Sequence, residues 1–208
     1  LTAESPEPSR QPLWSGHALL VLPPGAEAAS DPARITIRID PAGAFGDGGH
    51  PTTRLCLKAI ERFFPGPKKV FDVGTGTGIL AVAAAKLGAA DVLGVDIDPA
   101  AVSAAADNVR TNGVADRVRI RAGSLAAVLA DAAANGAAAF VAANILSNVI
   151  EEMLSAGLAG AVGPGGYLVV SGFLMAQTAA VRARLRMAGL ETVAQEREGE
   201  WALLAARR

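Results

Sequence analysis

The chain has 208 residues, 51% of them hydrophobic, and a formal net charge of -1. That length suits one well-buried domain with an appendage, and the composition excludes a disordered chain or a basic nucleic-acid binder. No run approaches the roughly 18 apolar residues needed to span a bilayer, and the lone Cys56 cannot close an internal disulfide, which points to a reducing compartment.

The first residues, LTAESPEPSRQPL, place prolines and acids where a signal peptide has a basic and then an apolar run, so a cytoplasmic location is expected. They lack an initiator methionine, so the natural chain can extend upstream. Residues 1–12 read as a loose linker. Short strands are predicted over 17–22 and 35–39, the second alternating Ile35, Ile37 and Ile39 against Thr36 and Arg38, with turn material between them. This short β ribbon leads into AFGDGGHPTT, residues 44–53, whose small residues make a poor core and a plausible pocket wall. A helix is predicted over 53–64, ending before Pro65 and Gly66.

From Lys69 onward strands and helices alternate. Strands are predicted over 70–73, 92–96, 118–121, 138–143 and 168–171. Helices are predicted over 79–87, 99–112, 125–133, 148–159 and 177–188. Strands over 190–196 and 201–205 close the chain around the EGE turn. This order implies an α/β fold: a doubly wound, mostly parallel seven-stranded sheet with one antiparallel edge strand, Rossmann-like in plan. The domain division that follows is 1–40 for linker and ribbon and 41–208 for the main domain, including the 44–53 loop.

The most informative run is VFDVGTGTGIL, residues 70–80. Gly74, Gly76 and Gly78, with Thr75 among them, line a turn between a strand and a helix, where glycine lets backbone approach a ligand closely. Free amides of the helix's first turn are expected to face that ligand. The spacing is G-x-G-x-G rather than the dinucleotide pattern G-x-G-x-x-G, and Asp72 precedes it. A pyrophosphate has no use for that carboxylate, whereas an ammonium group does. Asp96 ends the next strand, where an acid can accept both ribose hydroxyls. Together they suit a zwitterionic nucleoside, S-adenosylmethionine, with S-adenosylhomocysteine as product. Ile97 is placed to cover an adenine face. Ser124 either bonds the adenine amino group or caps the next helix, and Asp98 either caps the helix at Pro99 or meets the ligand.

AFGDGGHPTTRLCLKAIE, VFDVGTGTGILAVAAAKLGAADVLGVDIDPAAV, VAANILSNVI and PGGYLVVSGFL resemble the ribosomal protein L11 methyltransferase family, within the class I methyltransferases. The resemblance covers residues 35–204. It implies transfer of a methyl group to amino groups of L11, on lysines and at the N-terminus. By the same resemblance Asp72, Gly74, Gly76 and Asp96 hold the cofactor, and Thr52 or Thr53 lies with Asn144 near the reacting methyl. Three departures stand out. Asp47 replaces a threonine of the family loop, and Ala139 replaces an acidic residue. About forty residues precede the loop, where the family usually carries a recognition domain; either that domain has been trimmed away or substrate choice differs, and this chain is expected to methylate isolated L11 poorly.

Asn144 ends the fourth main strand, at the working edge of a parallel sheet. Its side-chain carbonyl can take an amine hydrogen and aim the lone pair in line with a sulfonium methyl; the alternative is a helix cap. Ile145, Leu146 and Ser147 follow it instead of the aromatic platform used by base methylators, so a protein amine is favoured over a nucleic acid. A small amine substrate, or cofactor binding without catalysis, are the competing readings. His50 serves either as a general base or as a brace for the loop, with bracing favoured. Phe45 through Thr53 are expected to form a lid over the methionine end of the cofactor. His17 receives no role, Cys56 reads as packing, no residues show metal-ligand spacing, and a monomer is the default.

Overall fold

A computed structural model describes residues 14–26 and 33–208. The linker over 1–12 and residues 27–32 of the turn lie outside the described residues. A small sheet comes first, built of β1 (Trp14–Ser15), β2 (Leu19–Leu22) and β3 (Ile35–Arg38). β1 and β2 run antiparallel, whereas β2 and β3 run parallel, Leu19 opposite Ile35. All four residues of β2 are buried. Leu19 and Val21 join the main core, and Leu20 and Leu22 pack on Ala26.

The main domain continues through α1 (Pro51–Phe63), β4 (Lys69–Val73), α2 (Ile79–Lys86), β5 (Asp91–Asp96) and α3 (Pro99–Thr111). Then come β6 (Val118–Ala122), α4 (Leu125–Asn135), β7 (Ala138–Asn144), α5 (Ser147–Ser155), β8 (Val162–Leu174), α6 (Thr178–Met187), β9 (Glu191–Glu198) and β10 (Trp201–Arg207). The expected helix over 148–159 is divided. Gly157 sits at φ 101°, a left-handed conformation that ends α5, and a 3-10 turn follows over Leu158–Ala161. β8 starts six residues earlier than its apolar run, because Val162 already pairs with Ala138. The glycines of 163–166, turn-like in sequence, lie inside that strand.

The seven-stranded sheet has the order β6-β5-β4-β7-β8-β10-β9. Every neighbouring pair is parallel except those made by β10. The antiparallel strand thus lies one place in from the edge, between β8 and β9, and not at the edge itself. A tight hairpin from β9 permits this, because β10 can slot into the gap left beside β8.

Period-two alternation assigns the two faces. Val70, Phe140, Val169 and Leu203 face a core shared with α1 and α2, while Phe71, Val141, Val170 and Leu204 face α5 and α6. The chain leaves β4 for β5 on one side and returns to β7 on the other. A crevice opens at that reversal, beyond the carboxyl ends of the strands, where α/β sheets place their ligands.

Candidate active site

A cavity of about 440 Å³ occupies this crevice, within the range that small-molecule sites occupy. Its wall includes Phe45, His50 and Thr52 from the loop, Gly74 and Gly76 after β4, and Asp96 and Ile97 after β5. Ser124 and Asn144 also line it. Nine of the thirteen predicted site residues thus meet around one space; Asp72, Thr53, Thr75 and Gly78 stand off the wall.

The glycine loop is shaped by contacts inside the chain. A Cβ on Gly76 would stand 2.3 Å from the carbonyl oxygen of Phe45, and one on Gly74 would stand 2.4 Å from Ile145 Cγ2. Both residues have positive φ, 54° and 72°, so a side chain there is excluded twice over. The amides are engaged as well. Gly74 and Thr75 N–H donate to Val95 O, Gly76 N–H to Asp96 Oδ2 at 2.9 Å, Thr77 N–H to Phe45 O and Gly78 N–H to Thr75 O. The amides of 74–78 are thus spent inside the protein, and in the first turn of α2 the Ala81 amide donates to Asp72 Oδ2 and the Val82 amide to Gly78 O. Close packing of the loop on the lid, rather than display of amides, explains these glycines.

Asp72 is buried, and its Oδ2 accepts from Thr75 Oγ1 at 2.6 Å and from the Ala81 amide at 3.1 Å. It therefore fastens the glycine loop to the first turn of α2. Its other oxygen, Oδ1, has no hydrogen-bond partner. Burial is the main influence on the carboxyl and pushes it up to about 6, with the two hydrogen bonds opposing and Asp96 adding to the rise.

Asp96 is half-buried on the wall, and its Oδ1 accepts from the Asp98 amide at 3.0 Å. Asp98 caps α3 through the Ala100 amide at 2.9 Å, the capping alternative. Ser124 makes no side-chain cap to α4 and faces the cavity. Ile97 is 80% exposed on the rim, an apolar side chain without a protein partner to cover it. Asn144 Oδ1 is buried without a hydrogen-bond partner. A buried amide oxygen with no partner destabilises the fold by about 1–3 kcal/mol, so its place on a ligand cavity marks an acceptor awaiting a donor.

His50 is the N-cap of α1. Its Nδ1 accepts from the Thr52 amide at 3.3 Å and lies 2.8 Å from Thr52 Oγ1. The ring stands edge-on to Phe45 at 5.3 Å and to Trp201 at 4.7 Å. These contacts describe a brace. Thr77 fixes the first half of the lid through Phe45 O and through Gly46 O at 2.5 Å. Asp47 Oδ1 accepts from Gly49 N–H at 2.8 Å, a local turn that a threonine hydroxyl could also support. Ala139 lies five residues before Asn144 on β7, about 16 Å away along the strand, so the charge missing there is remote from the cavity.

The sequence reading named Phe45 and His50 but missed Trp201. Trp201, at the start of β10, lines the cavity together with Phe45, whereas Ile145, Leu146 and Ser147 still follow Asn144 where base methylators carry an aromatic. Val149 and Met153 of α5 and Gly172 of β8 also line it. Nothing near Asn144 in sequence signals Trp201, because only the insertion of β10 beside β8 brings it there. Asn108 was missed too. Buried in α3, its Nδ2 donates to Thr77 O and Asp40 O, tying the glycine loop to the lid's root. Cys56 is buried, and burial followed by the Asp72 charge pushes its thiol up, against a Ser171 hydrogen bond, so it stays a packed thiol.

The family model described as "Ribosomal protein L11 methyltransferase (PrmA)" matches residues 5–208. The chain is 41% identical over 197 residues to the ribosomal protein L11 methyltransferase of Pelotomaculum thermopropionicum, covering 95% of this chain and 62% of that protein. It is 43% identical over 196 residues to that of Geobacter sulfurreducens, covering 94% and 62%. The crystal structure of ribosomal protein L11 methylase from Lactobacillus delbrueckii subsp. bulgaricus superposes with a TM-score of 0.80 at 34% identity, over 93% of this chain and 96% of that one. The chain thus spans about three-fifths of the length of the two curated relatives.

Proposed function

The chain belongs to the ribosomal protein L11 methyltransferase family, and from that premise we propose that it transfers a methyl group from S-adenosylmethionine to an amino group of an L11-like protein. The observation that carries this reading is the unpartnered Asn144 Oδ1 on the cavity wall, one strand from the glycine loop.

The donor set suits the cofactor. Asp96 offers remaining acceptor capacity to a ribose diol, with Ile97 and Ser124 beside it for a purine. The carboxylate of Asp72, buried off the cavity wall at the root of the glycine loop, supplies a negative charge for an ammonium group. The bound cofactor supplies an electrophilic methyl on a sulfonium. The remaining work falls to the chain. Asn144 accepts a hydrogen from the neutral amine and aims its lone pair into the cavity. Phe45, His50 and Trp201 exclude water from that end. Asn has no useful basicity and His50 Nδ1 is engaged, so the amine's proton leaves to solvent.

The test is incubation with isotopically labelled S-adenosylmethionine and, separately, isolated L11, a lysine-containing peptide and a panel of small amines. Label in L11 or the peptide supports the reading. Label only in small amines replaces the acceptor, and cofactor binding without transfer to any amine defeats catalysis.

A further inference from the structure

Besides the His50–Trp201 ring contact, the second half of the lid is tied to the β9–β10 hairpin by the side chain of Arg54. Arg54, in the first turn of α1, donates from Nη1 to the carbonyl of Gly49, the residue before His50. Its Nε and Nη2 meet Glu198 Oε1 at 2.6 and 2.5 Å. Glu198 ends β9, three residues before Trp201. Lys58, one turn along α1, meets the other Glu198 oxygen at 3.2 Å and makes no lid contact. Burial works to raise the Glu198 carboxyl, but the hydrogen bonds from Arg54 and Lys58 outweigh it and hold it below its ordinary range.

The guanidinium therefore joins two segments that meet again at the cavity, where the His50 and Trp201 rings stand 4.7 Å apart. We infer that Arg54 is a positioning residue: it fixes the lid against the hairpin, so that His50 and Trp201 form one wall at the acceptor end of the cavity. The inference rests on the proposed methyl transfer for its kinetic consequence, and on the contacts alone for its structural one. A planar fork can serve a carboxylate and a carbonyl together, which an ammonium at the same site cannot. Placement matters because a displacement of about 1 Å in a reacting geometry can lower a rate about 100-fold. The nucleoside end, at Asp96 and Ser124, lies on other elements and has no contact with the latch.

The experiment compares Arg54→Ala, Arg54→Lys and Lys58→Ala with the parent chain. Single-turnover transfer from labelled S-adenosylmethionine to isolated L11 is measured with enzyme in excess, alongside cofactor affinity. Trp201 emission is read in a Trp14→Phe background, which removes the second tryptophan. Both Arg54 variants should slow transfer about tenfold, shift Trp201 emission to the red, and leave cofactor affinity within about threefold. Lys58→Ala should change none of these, although it removes a partner of the same carboxylate. Arg54→Lys, which keeps a charge for Glu198 but cannot also reach Gly49, decides the matter if the alanine variant fails to fold. Parental rate and emission in Arg54→Lys, or a Lys58→Ala variant as impaired as Arg54→Ala, would reduce the contact to a surface ion pair and overturn the inference. A parent chain that labels no amine would defeat the proposed function, while the emission comparison would still uphold or reject the latch.

Discussion

Asp72 and Asp131 are both buried carboxylates of one α/β layer, and the protein drives them in opposite directions. Asp131, on α4, stands at the amino edge of the sheet. Lys69 Nζ, at the start of β4, lies 2.8 Å from it and Arg119 of β6 lies 3.0 Å from it. Asn135 adds a hydrogen bond, and Asp91 completes the cluster by pairing with Lys69 and Arg119. Burial raises the Asp131 carboxyl, but these partners outweigh it and hold it at about 2. Asp72, at the carboxyl edge, has a hydroxyl and an amide as hydrogen-bond partners, and burial prevails. At the amino edge the Asp131 carboxylate is fully paired. The carboxyl edge retains unpartnered oxygens on Asp72 and Asn144, the pattern of a site that needs a ligand.

The contrast can be broken first at its paired end. Asp131→Ala should destabilise the fold by about 3 kcal/mol, because Lys69, Arg119 and Asn135 all lose a hydrogen-bond partner, while cofactor affinity per folded molecule stays unchanged. Denaturant unfolding and calorimetric titration measure the two quantities. A large loss of affinity in refolded protein would show that the two edges are coupled.

The two aspartates should also differ in pH dependence. The Asp131 carboxyl is depressed, so its contribution is present above about pH 4 and is lost as pH falls towards 2. The Asp72 carboxyl is raised, so the native state binds more protons than the unfolded chain between about pH 4 and pH 6. Its contribution is therefore greatest below that window and declines by up to about 3 kcal/mol as pH rises through 6. Asp72→Asn should remove that decline while preserving the Thr75 and Ala81 bonds, and it should weaken cofactor binding. Unfolding curves from pH 4.5 to 8 on both proteins check this; identical pH slopes would show that Asp72 does not titrate there.

Asp96→Ala should weaken S-adenosylmethionine binding by about 2 kcal/mol, since a ribose loses a charged acceptor. Unchanged affinity in a titration would move the ribose contact to another residue. Smallest in energy, Asn144→Ala should lower single-turnover transfer at least about tenfold while leaving cofactor affinity nearly intact. Removing an unpartnered buried oxygen should not destabilise the protein, so a fall in melting temperature would assign Asn144 a structural duty instead.

What the sequence determined about this protein is local. Alternating apolar strands and helices specified the parallel sheet, because each face must be covered by the helices that connect its strands. The run from Asp72 to Gly78, the acid at Asp96 and the Asn144 that ends β7 were legible for the same reason. A strand end followed at once by a turn places a side chain at the sheet's working edge whatever happens elsewhere. Asp98 could likewise be read as a cap from its neighbour Pro99. The tertiary structure decided what depends on partners far along the chain. Pairing alone put β10 between β8 and β9, and that insertion carried Trp201 to His50 across some 150 residues of sequence. The approach of Phe45 to the glycine loop engaged the Thr77 amide and closed the space above Gly76. Arg54, to which the sequence assigns nothing, gains its contacts only where the lid and the hairpin meet on its guanidinium. Burial and hydrogen-bond satisfaction are sums over all neighbours in space, and no window of sequence contains those neighbours.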